Sequence, residues 1–202
     1  ESMKRIVLVF ALLLLVLPIL ARADGITLTN QRGSVTILAS GITSTGSQLT
    51  SFNNIQAPKG HAMGSVSYAT GALDSGSIWT GGTFSSAGSY FDVVGMGKYG
   101  EPKGAIFTGS FIGEIDWTLV SSSKFLHIYT LSGDIEGQLW NGRMVTGTTS
   151  QTIYTKWNQE AIDHKGSIKL GSTHITTPEP STLGLMGTGL IGLAGLFRRK
   201  RA

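Results

Sequence analysis

Glu114 and Asp116 lie two residues apart in a run, Phe107 to Val120, whose odd positions through Leu119 are Phe, Gly, Phe, Gly, Ile, Trp and Leu. Residues two apart in an extended chain share a face, so both carboxylates fall on the polar side of this run. Two carboxyls about 5 Å apart are what a double-displacement glycosidase requires. Asp134 and Glu136 repeat the spacing farther along. Antiparallel pairing centred on Ser122 sets Glu114 opposite Thr130 rather than Asp134, so the two acidic pairs need not converge. Asp134, in the turn signal Ser132-Gly133-Asp134, could hold calcium with loop carbonyls, but no EF-hand or nonapeptide spacing accompanies it.

Other chemistry is thin. His61, His127, His164 and His174 show no H-x-x-x-H or H-x-H spacing, so a zinc site would depend wholly on the fold. His127, between Phe125 and Tyr129, reads as a packed or rim residue. No serine occupies a G-x-S-x-G elbow, and no phosphate-binding glycine loop stands between a strand and a helix. The expectation is a protein that is not an enzyme and takes no cofactor.

The run Glu114-Ile115-Asp116-Trp117-Thr118-Leu119 is similar to part of the Glu-x-Asp-x-x-Glu strand of laminarinase-like retaining glycosidases, which are β-jelly-rolls. That resemblance implies a nucleophile, a carboxylate that tunes it, and an acid/base three residues on. Leu119 stands where the acid/base belongs, so a degenerate glycosidase is the third functional reading. For these two residues, an exposed acidic strand face is the favoured reading.

These residues need strands to position them. The chain has 202 residues, of which 28 are glycine and 14% charged, a composition that argues against helical bundles. Alternating runs of strand type are Ser34–Ala39, Gly64–Thr70, Ser77–Phe84, Ser89–Val94, Phe107–Val120, Lys124–Leu131, Ile135–Trp140, Val145–Thr155 and Ser167–Leu170. Gly113 marks a bulge or break in the longest. Turn signals separate them, the strongest being Asn141-Gly142, both of which tolerate the positive φ of a type I′ turn. The expected fold is all-β, an antiparallel β-sandwich or jelly-roll-like barrel spanning residues 24–177, with a β-solenoid as the alternative. The first third, rich in Ser and Thr, is expected to be loosely ordered.

Aromatic residues give the one hint of a ligand. Trp117 shares the apolar face and reads as core. Trp140 falls in register with Asp134, Glu136 and Gln138, and Trp157 lies in a polar run, so these two are the candidates for stacking on sugar rings. A carbohydrate-binding module is therefore the second functional reading.

The two ends read as addresses. Lys4 and Arg5 precede an apolar run from Ile6 to Leu20 and then Ala21-Arg22-Ala23, the layout of a secretory signal peptide (1–23) cut by signal peptidase after Ala23. The C-terminal segment, 178–202, has Pro178-Glu179-Pro180, an apolar run at 183–197 read as a transmembrane helix, and Arg198-Arg199-Lys200-Arg201 as a basic stop-transfer cluster. Between residues 24 and 177 there are nine Lys/Arg against ten Asp/Glu. The folded part is thus near neutral and lacks the basic stripe of a nucleic-acid binder. There is no cysteine, so the domain must hold by burial and hydrogen bonding.

This three-part tail resembles the PEP-CTERM sorting signal of Gram-negative bacteria. The resemblance implies recognition by an exosortase, a membrane transpeptidase, and a transient inner-membrane anchor. It further implies delivery to the cell surface or extracellular matrix alongside exopolysaccharide. The leading expectation is a non-catalytic structural or adhesive role, with polysaccharide as a further partner.

Overall fold

Alternation of apolar and polar side chains is carried through long strands, and in a computed structural model these strands close on themselves. Residues 25–156 and 164–176 are described. They form β1 (Gly25–Leu38), β2 (Gly41–Phe52), β3 (Ile55–Gln56), β4 (Gly64–Ala69), β5 (Leu73–Ser77), β6 (Gly81–Phe84), β7 (Tyr90–Met96), β8 (Lys103–Ser122), β9 (His127–Leu139), β10 (Met144–Thr155) and β11 (His164–Thr176). β1, β2, β4, β7, β8, β9, β10 and β11 pair in that order, and β11 returns to β1. The result is an antiparallel barrel that follows the chain up and down. β5 and β6 form a hairpin added to the far half of β8, where Gly81–Phe84 pair with Thr118–Ile115 beyond the end of β7.

The expected all-β antiparallel architecture is present. Its connectivity is a meander without the crossing connections of a jelly roll. The β-solenoid alternative falls, because every pairing is antiparallel and the sheet closes. Most links between successive strands are short, so consecutive strands pair with each other. The signal peptide at 1–23, the apolar run at 183–197 and Trp157 lie outside the described residues.

The interior is filled. Trp117 stacks on Tyr129 with ring centroids 4.3 Å apart, and its indole N–H donates to the Ile78 carbonyl at 2.9 Å. Tyr68 lies flat against Phe91, and Phe111 meets both edge-on. An eight-stranded barrel is just wide enough for side chains to fill it, and these rings do so. Among them runs a polar chain. Asn30 Nδ2 donates to Ser47 Oγ at 2.7 Å and to Gln151 Oε1 at 2.9 Å, while Gln151 Nε2 donates to Thr149 Oγ1 at 2.9 Å. The Thr149 and Thr173 hydroxyls, 3.0 Å apart, continue it. Gly171 lies beneath this amide pair, and a Cβ there would collide with Gln151 Oε1 and Asn30 Oδ1.

Several local expectations are corrected. Ser132-Gly133-Asp134 is not a turn but the middle of β9; Gly133 is small because Phe111 and Ile115 pack over it. Ser77–Phe84 is not one strand, since residues 78–80 turn between β5 and β6. The first third is ordered as β1 and β2, whose hydrogen bonds close the barrel. Asn141-Gly142 does mark a hairpin, but only Gly142 has positive φ, at 82°. Gly142 N donates to Leu139 O and Leu139 N to Arg143 O, the longer hairpin with a left-handed glycine. Asn53 and Asn54, at φ 47° and 66°, instead make the two-residue turn joining Phe52 to Ile55. Gly113 does mark a bulge, at φ 69°, between the pairs Ile112–Asp134 and Asp116–Ser132.

Trp117→Ala is expected to lower stability by about 3–5 kcal/mol, the usual loss for a truncated core aromatic, read from the midpoint of denaturant unfolding. Gln151→Leu, which adds no bulk but leaves Asn30 and Thr149 short of partners, is expected to lose about 2–3 kcal/mol in the same assay.

Candidate functional site

The bulge at Gly113 turns Glu114 outward near Asp116, and the sheet brings Asp134 beside them. Glu114, Asp116 and Asp134 line one open depression of about 400 Å³ on the outer wall. Its other walls are Ser132, Gly133, Thr148, Thr149, Ser150, Ser172 and His174. Two cross-strand rows build it. One runs Asp134–Thr148–His174–Thr27, the other Asp116–Ser132–Ser150–Ser172–Thr29. Outward positions of β9, β10 and β11 are thus mostly hydroxyl or acidic, while inward ones are buried.

This placement corrects the pairing centred on Ser122. Strands β8 and β9 join through a longer connection, with Ser122 opposite His127 and Thr118 opposite Thr130. The bulge then adds residues to β8, so Glu114 lies between the pairs that involve Asp134 and Ser132. His174, which sequence spacing had left isolated, lines the same depression. Only the outward parity of β11 could have found it. Leu119 turns inward and packs against the core, so it supplies nothing to Glu114 and Asp116. Asp134 is in mid-strand between β8 and β10, so no loop carbonyls adjoin it. Among the described residues, no group of three or more His, Asp or Glu is arranged to hold a metal ion.

A second depression lies over β1, β10 and β11, lined by Gln31, Arg32, Gly33, Tyr154, Ser167, Ile168 and Lys169. The Lys169 ammonium stands 5.9 Å above the Tyr154 ring, an exposed cation–π contact. Arg32 takes φ 66° within a bulge of β1.

The two exposed tryptophans among the described residues, Trp79 and Trp140, do not share a face. Trp140 is 46% exposed at the β9–β10 turn, where it meets Phe52 edge-on at 6.1 Å. Trp79 lies in the β5–β6 turn by the opposite rim, its carbonyl accepting from the Tyr129 hydroxyl. Trp117 is core, as expected, at 1% exposure. His127 is half-buried against Tyr129.

The rim that carries Trp140 also holds the loop 97–102. Glu101 is buried there, and its two carboxylate oxygens accept from the N–H groups of Lys98 and Tyr99, each at 2.9 Å. Burial pushes the carboxyl upward, but the backbone N–H groups of Lys98, Glu101, Tyr99 and Gly97 together outweigh it and hold it below its usual value. At Asp92 burial wins over the Thr108 hydroxyl and the carboxyl is raised.

Fold and ends define a closed β-barrel domain followed by a C-terminal tail. Residues 176–201 match the PEP-CTERM protein-sorting motif, and Pro178, Glu179, Pro180 and the Arg198–Arg201 cluster fall within that match. The chain carries a PEP-CTERM sorting signal, which indicates export to the cell surface or extracellular space and processing by an exosortase. No curated protein and no solved structure similar to the chain was found.

The Glu101 carboxylate makes a pH test. Its folded value lies below the unfolded one, about 4.3, so its stabilisation is whole above that value and is lost as pH falls through the folded one. Melting temperatures of wild type and Glu101→Gln should differ at neutral pH and converge on acidification. Curves that run parallel throughout would contradict the loop's dependence on that charge.

Proposed function

We propose that the processed barrel is a non-catalytic structural or adhesive protein of the cell surface or extracellular matrix, working alongside exopolysaccharide. The observation that carries this reading is the packed interior. Trp117, Tyr68, Tyr129, Phe84, Phe91 and Phe107 occupy the space where a ligand-carrying barrel would keep its cavity. What the protein contacts, it contacts with its outside. That outside is rich in serine, threonine and carboxylate, groups that hydrogen-bond to sugar hydroxyls without a deep pocket. The wall also differs from that of a membrane-spanning barrel, whose outward residues are apolar and whose lumen is polar.

In this reading the apolar run at 183–197 anchors the chain in the inner membrane until an exosortase cuts near Pro178-Glu179-Pro180. Signal peptidase has by then removed residues 1–23. Glu114 and Asp116 serve as part of a solvated acidic face.

Purified processed protein should self-associate in sedimentation experiments without any glycan, and should leave β-glucan uncut. Turnover of β-glucan that disappears in Glu114→Gln would make it a glycosidase instead. Glycan capture lost on Trp140→Ala would identify a carbohydrate-binding module.

A further inference from the structure

The barrel has two unlike rims. Gly25 pairs with Thr176, and Thr176 with Thr146, so the chain enters and leaves at one rim. The β2–β3, β7–β8 and β9–β10 turns open at this same rim. Trp140 reaches from the β9–β10 turn to Phe52 on β2, strands separated in the sheet by β1, β11 and β10. It therefore lies over the barrel mouth. Ile55 and Met144 stand exposed nearby, at 42% and 65%, and Ile55 contacts the loop 97–102 through Gly100. Around this apolar cap are Lys59, Lys98, Lys103 and Arg143, all exposed. Glu101, the one acidic residue of these turns, is buried against its own loop's N–H groups.

We infer that this rim is a docking surface for an anionic lipid bilayer, used while the chain is still anchored. The inference rests on the anchoring reading above. Six residues, 177–182, separate Thr176 from the apolar run that begins at Leu183. Fully extended they reach only about 20 Å, so an inserted tail keeps this rim within a few side-chain lengths of the headgroups. Short tethering raises the effective concentration of the contact without requiring it to be strong. The chemistry fits: a tryptophan with aliphatic neighbours suits the interfacial zone, and a collar of four cations suits anionic headgroups. The opposite rim also exposes apolar side chains, Phe125 and Trp79, but it stands a barrel's length from Thr176, where the strand ladder ends. Once the tail is cut the tether is gone, and the weak contact releases.

The test uses the signal-cleaved chain with its tail, reconstituted into vesicles of phosphatidylglycerol and phosphatidylcholine bearing brominated acyl chains. Flotation reports tail insertion, and bromine quenching of tryptophan reports the rim. The expected result is flotation with quenching that is lost in Trp140→Phe and kept in Trp79→Phe. Quenching should also weaken several-fold in pure phosphatidylcholine and in Lys59→Gln/Lys98→Gln, two surface changes that leave the core untouched. Flotation with quenching indifferent to Trp140 would overturn the docking surface and leave the anchor standing. Failure to float would remove the anchor and, with it, this inference.

Discussion

Everything in this barrel depends on the seam between its first and last strands. β1 and β11 are hydrogen-bonded from Gly25–Thr176 to Ile37–His164, and without that ladder the sheet would present two long open edges. The seam is also where the interior is polar. Asn30 of β1 and Gln151 of β10 bond over Gly171 of β11, so the strand between them must offer a residue without a side chain at that point. A shift of β11 by one pair would bring Leu170 or Ser172 under the amides. A buried polar network of this kind favours one register over its neighbours, because any other leaves amide groups unpaired. The chain has no cysteine, so an exported domain without disulfides relies on closure and this amide lock.

Closure divides the molecule into an inside that is structural and an outside left for function. Inward positions alternate large rings with glycine. Phe111 lies over Gly133, and the Phe107 ring approaches Gly109 and Gly137; this is how a narrow barrel accommodates aromatic bulk. The same alternation throws Asp116, Asp134, Ser132, Thr148, Ser150, Ser172 and His174 onto one wall. The acidic depression is then a consequence of parity plus one bulge. Its open form and hydroxyl lining differ from the concave, mostly apolar pockets that enclose small ligands.

How much of this was legible varied with the kind of signal. Parity was reliable within strands: Trp117 inward and the polar side of Asp134, Glu136 and Gln138 follow from period two, and an isolated strand glycine marked the bulge at Gly113. Trp140, one residue past the end of β9, leaves that face and turns over the barrel mouth against Phe52. Register was not, because the expected pairing of β8 with β9 counted neither the bulge nor the longer turn. That error separated Asp134 from Glu114. Glycine was ambiguous for a physical reason. Gly142 is a turn residue with positive φ, whereas Gly133 is a strand residue beneath a ring, and both stand beside residue types common in turns, Asn141 in one case and Ser132 and Asp134 in the other. The closure itself was illegible, since β1 and β11 are joined by contacts that span the whole domain. No local pattern in Thr27–Asn30 announces a partner at Gly171–His174.

The same seam explains how such a domain tolerates having its end cut off. The last ladder pair is Thr176 with Gly25 and Thr146, and Pro178 follows two residues later. Proline has no N–H to give and disfavours a helical conformation before it, so Pro178 and Pro180 have no backbone donor for a strand ladder. A cut beyond Thr176 removes no hydrogen bond made between the described residues of the barrel. Because β11 is already covered on both sides, by β1 and β10, the severed end leaves no bare strand edge on which another chain could add. Among the described residues, the barrel's ladders and its apolar core are complete without the segment through which the chain is recognised.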